Sequence, residues 1–109
     1  MATGFVDLSR CSRHTIFPGV DIQTVAGETM MLSHVTFAPG AVVEAHSHPH
    51  EQGGIVLAGR ACFIIGDEER ILGPGDMWLI PGGVTHRVVA LDEGFKALDV
   101  FHPIREDYL

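Results

Sequence analysis

The sequence has only two cysteines, and they lie in distant parts of the chain. Cys11 and Cys62 form no closely spaced pair. A zinc ribbon and a thioredoxin-like redox site both need such pairs, so both classes of site are excluded. We expect both cysteines to be reduced thiols.

Basic residues and long apolar runs are scarce as well. Seven Lys and Arg stand against fourteen Asp and Glu, and the formal net charge of −7 repels polyanions, so nucleic acid is not expected as a partner. No apolar run approaches the length of a membrane span, and residues 1–10 lack the basic head and apolar core of a signal peptide. We therefore expect a cytoplasmic protein that binds neither nucleic acid nor membrane.

No stripe of helical period is evident, and short apolar runs recur instead between Gly, Pro and Asp residues. With 13 glycines and six prolines in 109 residues, this pattern predicts an all-β sandwich or barrel that forms a single domain over residues 1–109. The predicted strands cover residues 22–26, 29–37, 42–45, 54–58, 61–65, 69–72, 76–80, 86–91 and 96–101.

Tight turns are predicted where glycine interrupts these runs. Gly59 and Gly66 each supply the residue that a hairpin needs, which predicts antiparallel pairing of the strands on either side. Residues 102–109 are predicted to form a short tail with one helical turn after Pro103.

Three histidines and one glutamine form the candidate metal site. His46 and His48 are two residues apart, so both side chains leave the same face of an extended segment. Gln52 follows after a turn, and its amide oxygen can swing back toward the same point, while His86 arrives from a distant strand. Three imidazoles and a neutral oxygen suit one divalent transition metal (Ni, Zn, Mn, Fe, Co or Cu) and leave positions open for water or substrate.

These residues resemble the two motifs of the cupin superfamily. The first is matched by Gly40, His46, His48, Gln52 and Gly59, and the second by Gly75, Pro81, Gly83 and His86. The resemblance implies a double-stranded β-helix, or jelly-roll barrel, with its metal-binding core over about residues 28–102.

The motifs depart from the usual cupin pattern at two positions. Gln52 replaces a glutamate ligand, and Ala90 replaces an asparagine. Loss of the carboxylate leaves the bound metal more positive and weakens an oxygenase interpretation. Glu51 is the alternative ligand, but strand alternation points it away from the face of Gln52.

The C-terminal run Leu98–Leu109, together with the segment His46–Gln52, is similar to the KdgF family of small cupins, and this resemblance spans about residues 30–109. That resemblance implies the opening of the ring of 4,5-unsaturated monouronates, released from pectin and alginate, to linear keto acids. It also implies that Asp99 is catalytic, shuttling a proton, and that Arg105 and Phe101 bind the small anionic sugar-acid substrate.

Other interpretations of the same residues stay open. Asp99 can be an aspartate hydrogen-bonded to backbone, Arg105 can pair with Glu106 or Asp107, and Phe101 can be a packing residue. The protein as a whole can instead be a metal-dependent dioxygenase or a non-catalytic ligand-binding cupin.

A homodimer is expected because a chain of this size buries only about two-thirds of its surface on folding. The apolar N-terminal third, around Phe5, Val6, Ile16 and Phe17, is predicted to pack on a partner.

Overall fold

The computed structural model describes residues 4–109, which form eight β-strands and two short 3₁₀ turns. The strands are β1 (Ser12–Phe17), β2 (Val20–Ala26), β3 (Met31–Phe37), β4 (Val42–His46), β5 (Glu51–Ile65), β6 (Glu68–Leu72), β7 (Met77–Ile80) and β8 (His86–His102). The 3₁₀ turns cover Leu8–Arg10 and Glu106–Tyr108. The predicted all-β fold is confirmed.

The fold is organised around the two long strands, β5 and β8, which pair with each other antiparallel. The first half of β5 also pairs with β7, and its second half pairs with β6. The first half of β8 also pairs with β4, and its second half pairs with β3, which pairs in turn with β2, and β2 with β1. The chain thus forms two layers that share β5 and β8 and enclose the core.

The hairpin predicted at Gly59 is wrong. The chain does not reverse there, and the two predicted strands on either side are halves of β5, separated by register shifts near Gly59. Gly59 has φ of +71°, and a Cβ at this position would overlap the carbonyl oxygen of Gly94 on β8. A β-bulge where two strands approach closely and a hairpin turn can both require a glycine with positive φ, so the local sequence does not distinguish them.

The other predicted strands and turns are largely confirmed, with shifted bounds. The hairpin at Gly66 joins β5 to β6, and the C-terminal tail contains one 3₁₀ turn. The two predicted strands over residues 86–101 are one strand, β8, and the edge strand β1 was not predicted.

Within residues 4–109, sixteen buried apolar residues fill the space between the layers. Aromatic rings fill much of this core, with Phe37 and Phe95 at 5.2 Å and Phe63 and Trp78 at 4.6 Å between ring centroids. In the described part of the chain, no helix has the length and apolar character needed to cross a bilayer.

Candidate metal centre and cavity

The topology brings the three motif histidines to one end of the barrel. His46 is the last residue of β4 and His86 the first of β8, and the two are directly paired across the strands. His48 lies in the loop before β5, with its ring centroid 4.9 Å from that of His86. One nitrogen of each ring falls within 4.8 Å of the others, so the three can hold a metal ion.

Backbone carbonyls orient all three imidazoles. The Nδ1 atoms of His46, His48 and His86 lie 2.8, 3.1 and 2.9 Å from the carbonyl oxygens of Glu44, His50 and Val84 respectively. Since a carbonyl oxygen only accepts, each Nδ1 carries the hydrogen and each Nε2 keeps its lone pair. This is the arrangement in which a protein presents histidine to a metal.

Gln52, the predicted fourth ligand, is the second residue of β5. Its Oε1 lies 3.0 Å from Nε2 of His48. Two lone pairs at that distance repel, and a shared cation, or an amide turned so that its NH₂ donates, removes the repulsion. Glu51 is exposed whereas Gln52 is buried, which agrees with the predicted alternation.

Burial favours the neutral form of two of the histidines, His48 and His86, and metal ligation requires that form. Burial lowers the pKa of His48 and lowers that of His86 to about 4. The Nε2 atom of His86 is buried and has no hydrogen-bond partner. An orphaned lone pair among three oriented imidazoles fits a divalent metal ion.

A cavity of about 50 Å³ extends from the histidines into the barrel and opens to solvent. The residues predicted for catalysis and substrate binding, Asp99, Phe101 and Arg105, line it together with His46, Gln52 and His86.

Asp99 lies on the inner face of β8, two residues before Phe101. Its Oδ1 atom is buried without a hydrogen-bond partner. Burial raises the pKa of Asp99 to about 7, and the neighbouring Gln52 amide and Arg105 guanidinium oppose that rise. The carboxyl group is thus desolvated and placed toward the metal ligands.

Arg105 is held by the C-terminal turn and lines the cavity. Its Nε and Nη2 donate to the two carboxylate oxygens of Asp107 at 3.2 and 3.3 Å, and its guanidinium lies 3.8 Å from the ring centroid of Tyr108. Arg105 therefore forms an ion pair with Asp107 and lines the cavity at the same time. The side chain is only 12% exposed.

Phe101 is a packing residue and a cavity wall at once, being 2% exposed and 5.9 Å from the His48 ring. Sequence reasoning missed Ser33 and Tyr108, which also line the cavity. Ser33 could have been found, because it is a polar residue at an inward position of an alternating strand. Tyr108 carries no such signal.

The cupin domain family matches residues 33–101 of this chain. That range contains all four candidate ligands as well as Asp99 and Phe101. The chain belongs to the cupin family.

Within that family, the chain is similar to the pectin degradation protein KdgF. KdgF of Dickeya dadantii is 39% identical over 83 residues, which cover 75% of this chain and 76% of that protein. The structure of KdgF from a Halomonas species matches with a TM-score of 0.89 at 32% identity and covers 99% of this chain and 100% of that one.

A more distant relative differs in size. Oxalate decarboxylase OxdC of Bacillus subtilis is 33% identical over 79 residues, which cover 68% of this chain and 20% of OxdC. This chain thus spans about one fifth of OxdC but matches KdgF over most of the length of both.

Proposed function

We propose that the protein is a metal-dependent enzyme that opens the ring of 4,5-unsaturated monouronates to give linear keto acids. The observation that carries the proposal is one cavity lined by two histidines of the three-histidine cluster, a desolvated carboxyl group and an arginine. Likeness to KdgF, a pectin degradation protein, over most of both chains supports the substrate class.

The metal ligands in this proposal are His46, His48, Gln52 and His86. A divalent ion held there would supply positive charge for the substrate carboxylate and for the ring oxygen that becomes negative. Gln52 contributes no charge, so the ion keeps more of its positive charge than it would beside a glutamate.

Arg105 binds the substrate carboxylate. Two of its five N–H donors are used by Asp107, and the remaining donors can pair with a carboxylate. The Asp107 pair and the Tyr108 ring fix the guanidinium plane, so little side-chain entropy is lost when substrate binds. Phe101 forms an apolar wall beside it.

Asp99 moves the proton. As a carboxylate it takes the hydrogen of the C1 hydroxyl, C1 becomes an aldehyde, and the bond from C1 to the ring oxygen breaks. The electrons released form an enolate over the ring oxygen, C5 and C4. Asp99 then returns the proton to C4, leaving a ketone at C5, so the reaction is an isomerisation that needs no oxidant. A group with a pKa of about 7 serves both directions of transfer near neutral pH.

The experiment follows the ultraviolet absorbance of a freshly released 4,5-unsaturated monouronate. We expect faster loss of the double-bond signal with metal-loaded protein than with chelator-treated protein or buffer. Asp99→Asn should lower the rate by at least about 100-fold while metal stays bound, whereas Asp92→Asn, at an exposed position, should not.

Two outcomes would favour the alternatives. Oxygen uptake during turnover would make the protein a dioxygenase, and uronate binding without any loss of the double bond would make it a binding cupin. If Asp99→Asn kept full activity, Asp99 would not be the group that transfers the proton.

We also propose that the protein is a homodimer, formed through the outer apolar face of the layer that contains β2, β3, β8, β5 and β7. Two neighbouring rows across these strands contain no Asp, Glu, Lys or Arg. The apolar residues of this face are Val25, Leu32, Ile55, Met77, Leu79, Leu98 and Val100. In a chain of net charge −7, such a face avoids repulsion between copies.

The predicted N-terminal contact is not the basis of this dimer. Ile16 and Phe17 pack against the protomer's own core, whereas Phe5 is fully exposed. Leu79 is 76% exposed on the outer apolar face and Ile71 is 58% exposed on β6. Sedimentation should give a dimer for the wild type and for Ile71→Glu, but a monomer for Leu79→Glu. A monomeric wild type would contradict the proposal.

The cytoplasmic location stays a prediction. Fractionation of the producing cells tests it.

A further inference from the structure

One row of residues across the inner face of the sheet is polar, although the rows on either side are mainly apolar. Direct cross-strand pairing connects its members on β2, β3, β8, β5 and β7. These members, in order, are Thr24, Ser33, Asp99, Gly54 and Trp78, and we call them the polar row.

Three polar atoms of the row are buried without a hydrogen-bond partner: Ser33 Oγ, Asp99 Oδ1 and Trp78 Nε1. Ser33 is only 1% exposed, and all three residues line the cavity that contains the histidines. A buried polar atom without a partner costs free energy, so such atoms in a cavity point to a bound polar group.

The other hydroxyl group of the polar row, that of Thr24, has a hydrogen-bond partner. Its Oγ1 donates to the carbonyl oxygen of Tyr108 at 2.6 Å. The neighbouring hydroxyl of Ser33 differs because no protein group reaches it. Residues opposite each other on an antiparallel pair have Cβ atoms about 5 Å apart, which puts Ser33 beside Asp99.

Gly54 lets the indole of Trp78 lie next to Asp99. A Cβ at Gly54 would lie 2.5 Å from Cζ2 of Trp78 and would overlap the carbonyl oxygen of Leu98. The ring therefore rests on the glycine backbone. The three unpaired atoms differ in kind, because indole N–H only donates, a carboxylate only accepts and a serine hydroxyl does both.

We propose that Ser33, Asp99 and Trp78 form a subsite that binds a hydroxyl group of the ligand. A hydroxyl accepts from the indole N–H of Trp78 and donates to Asp99 or Ser33, so it matches the set. The subsite lies one row below Gln52, about 7 Å along the strand. That distance suits a sugar acid whose carboxylate is held at the metal end. The subsite rests on the proposed function, and it selects hydroxylated ring acids over simple carboxylates.

The test compares binding of two unreactive probes to metal-loaded protein by calorimetry. Galacturonate has the ring, the carboxylate and the hydroxyl groups, whereas tetrahydropyran-2-carboxylate has the ring and carboxylate alone. We expect the wild type to bind galacturonate at least about tenfold more tightly. Ser33→Ala and Trp78→Phe should each reduce this ratio about three- to tenfold, mainly by weakening galacturonate binding.

Thr24→Val is the matched control. It removes a hydroxyl of the same row that already has a partner, so the ratio of the two affinities should keep its wild-type value. Ser33→Ala should also leave thermal stability unchanged or raise it, because its hydroxyl has no protein partner to lose. A water held by the polar row in place of a ligand group would leave the ratio unaffected by Ser33→Ala.

Two results would overturn the subsite: a wild-type ratio in Ser33→Ala, or no binding of galacturonate to the wild type. The outcome is separable from that of the proposed function, because neither probe has the 4,5-double bond. If the ratio of the two affinities depends on Ser33 but the protein has no ring-opening activity, the subsite stands and the proposed reaction is wrong. If the protein opens the ring but the ratio does not depend on Ser33, the proposed reaction stands and the subsite is wrong.

Discussion

Replacing Asp99 by asparagine should stabilise the metal-free protein at neutral and alkaline pH. Burial raises the pKa of Asp99 to about 7 from its ordinary value of 3.8. The folded state therefore holds this proton more tightly than the unfolded state, and the free energy of unfolding falls as pH rises through this interval. At about 1.4 kcal/mol per pH unit, the loss reaches about 4 kcal/mol above pH 7.

His86 changes the stability in the opposite direction. Burial lowers its pKa from 6.5 to about 4, so the unfolded state binds more protons between these values. The free energy of unfolding therefore rises with pH over this interval, by at most about 3 kcal/mol. The two groups therefore oppose each other in the wild type, and only the difference between wild type and Asp99→Asn isolates the carboxyl group.

The assay is urea unfolding of both proteins from pH 4 to pH 8, with chelator present throughout. Asp99→Asn should gain stability relative to the wild type as pH rises, by about 4 kcal/mol over the range. Asp92→Asn, at an exposed position, should differ from the wild type by less than about 0.5 kcal/mol at every pH. A pH-independent difference for Asp99→Asn would refute the desolvation of this carboxyl group.

Three further predictions concern metal binding and packing. A divalent metal at 100 times its dissociation constant should stabilise the wild type by about 2.7 kcal/mol but not His86→Ala, as measured by thermal unfolding. Gly54→Ala should cost more than about 2 kcal/mol, because its Cβ would overlap neighbouring backbone, whereas Gly27→Ala, with its nearest atom at 3.6 Å, should cost less than about 1 kcal/mol. Thr24→Val should cost about 1–2 kcal/mol by leaving the buried carbonyl of Tyr108 without its donor.

The spacing of the motif predicted much of the metal site, because its signals are local. Two histidines separated by one residue share a face in any extended segment, and alternation separates Glu51 from Gln52. The contribution of His86 is not local, since it depends on a cross-strand pair between β4 and β8 that only the likeness to a known family could indicate.

The errors in the fold have two physical causes. At Gly59 the local sequence suits a hairpin and a bulge equally, and the distant Gly94 decides between them. The edge strand Ser12–Phe17 escaped prediction because its residues are exposed or partly buried, without the alternation that identifies a strand packed on a core.

The polar row could not be predicted from the secondary-structure propensities or the spacing of its residues. Ser33 and Asp99 lie far apart in the sequence and meet only because β3 pairs with β8 in one register. A shift of one residue would turn Ser33 toward the outer face. The chemistry of the cavity thus depends on register, which the assembled sheet determines.

The most direct test of the proposed reaction is nuclear magnetic resonance of a 4,5-unsaturated monouronate in D₂O with metal-loaded protein. We predict that the vinyl signal of C4 disappears faster than in chelator-treated protein and that one deuterium enters at C4 of a linear keto acid. An unchanged vinyl signal at the rate of buffer alone would contradict the account.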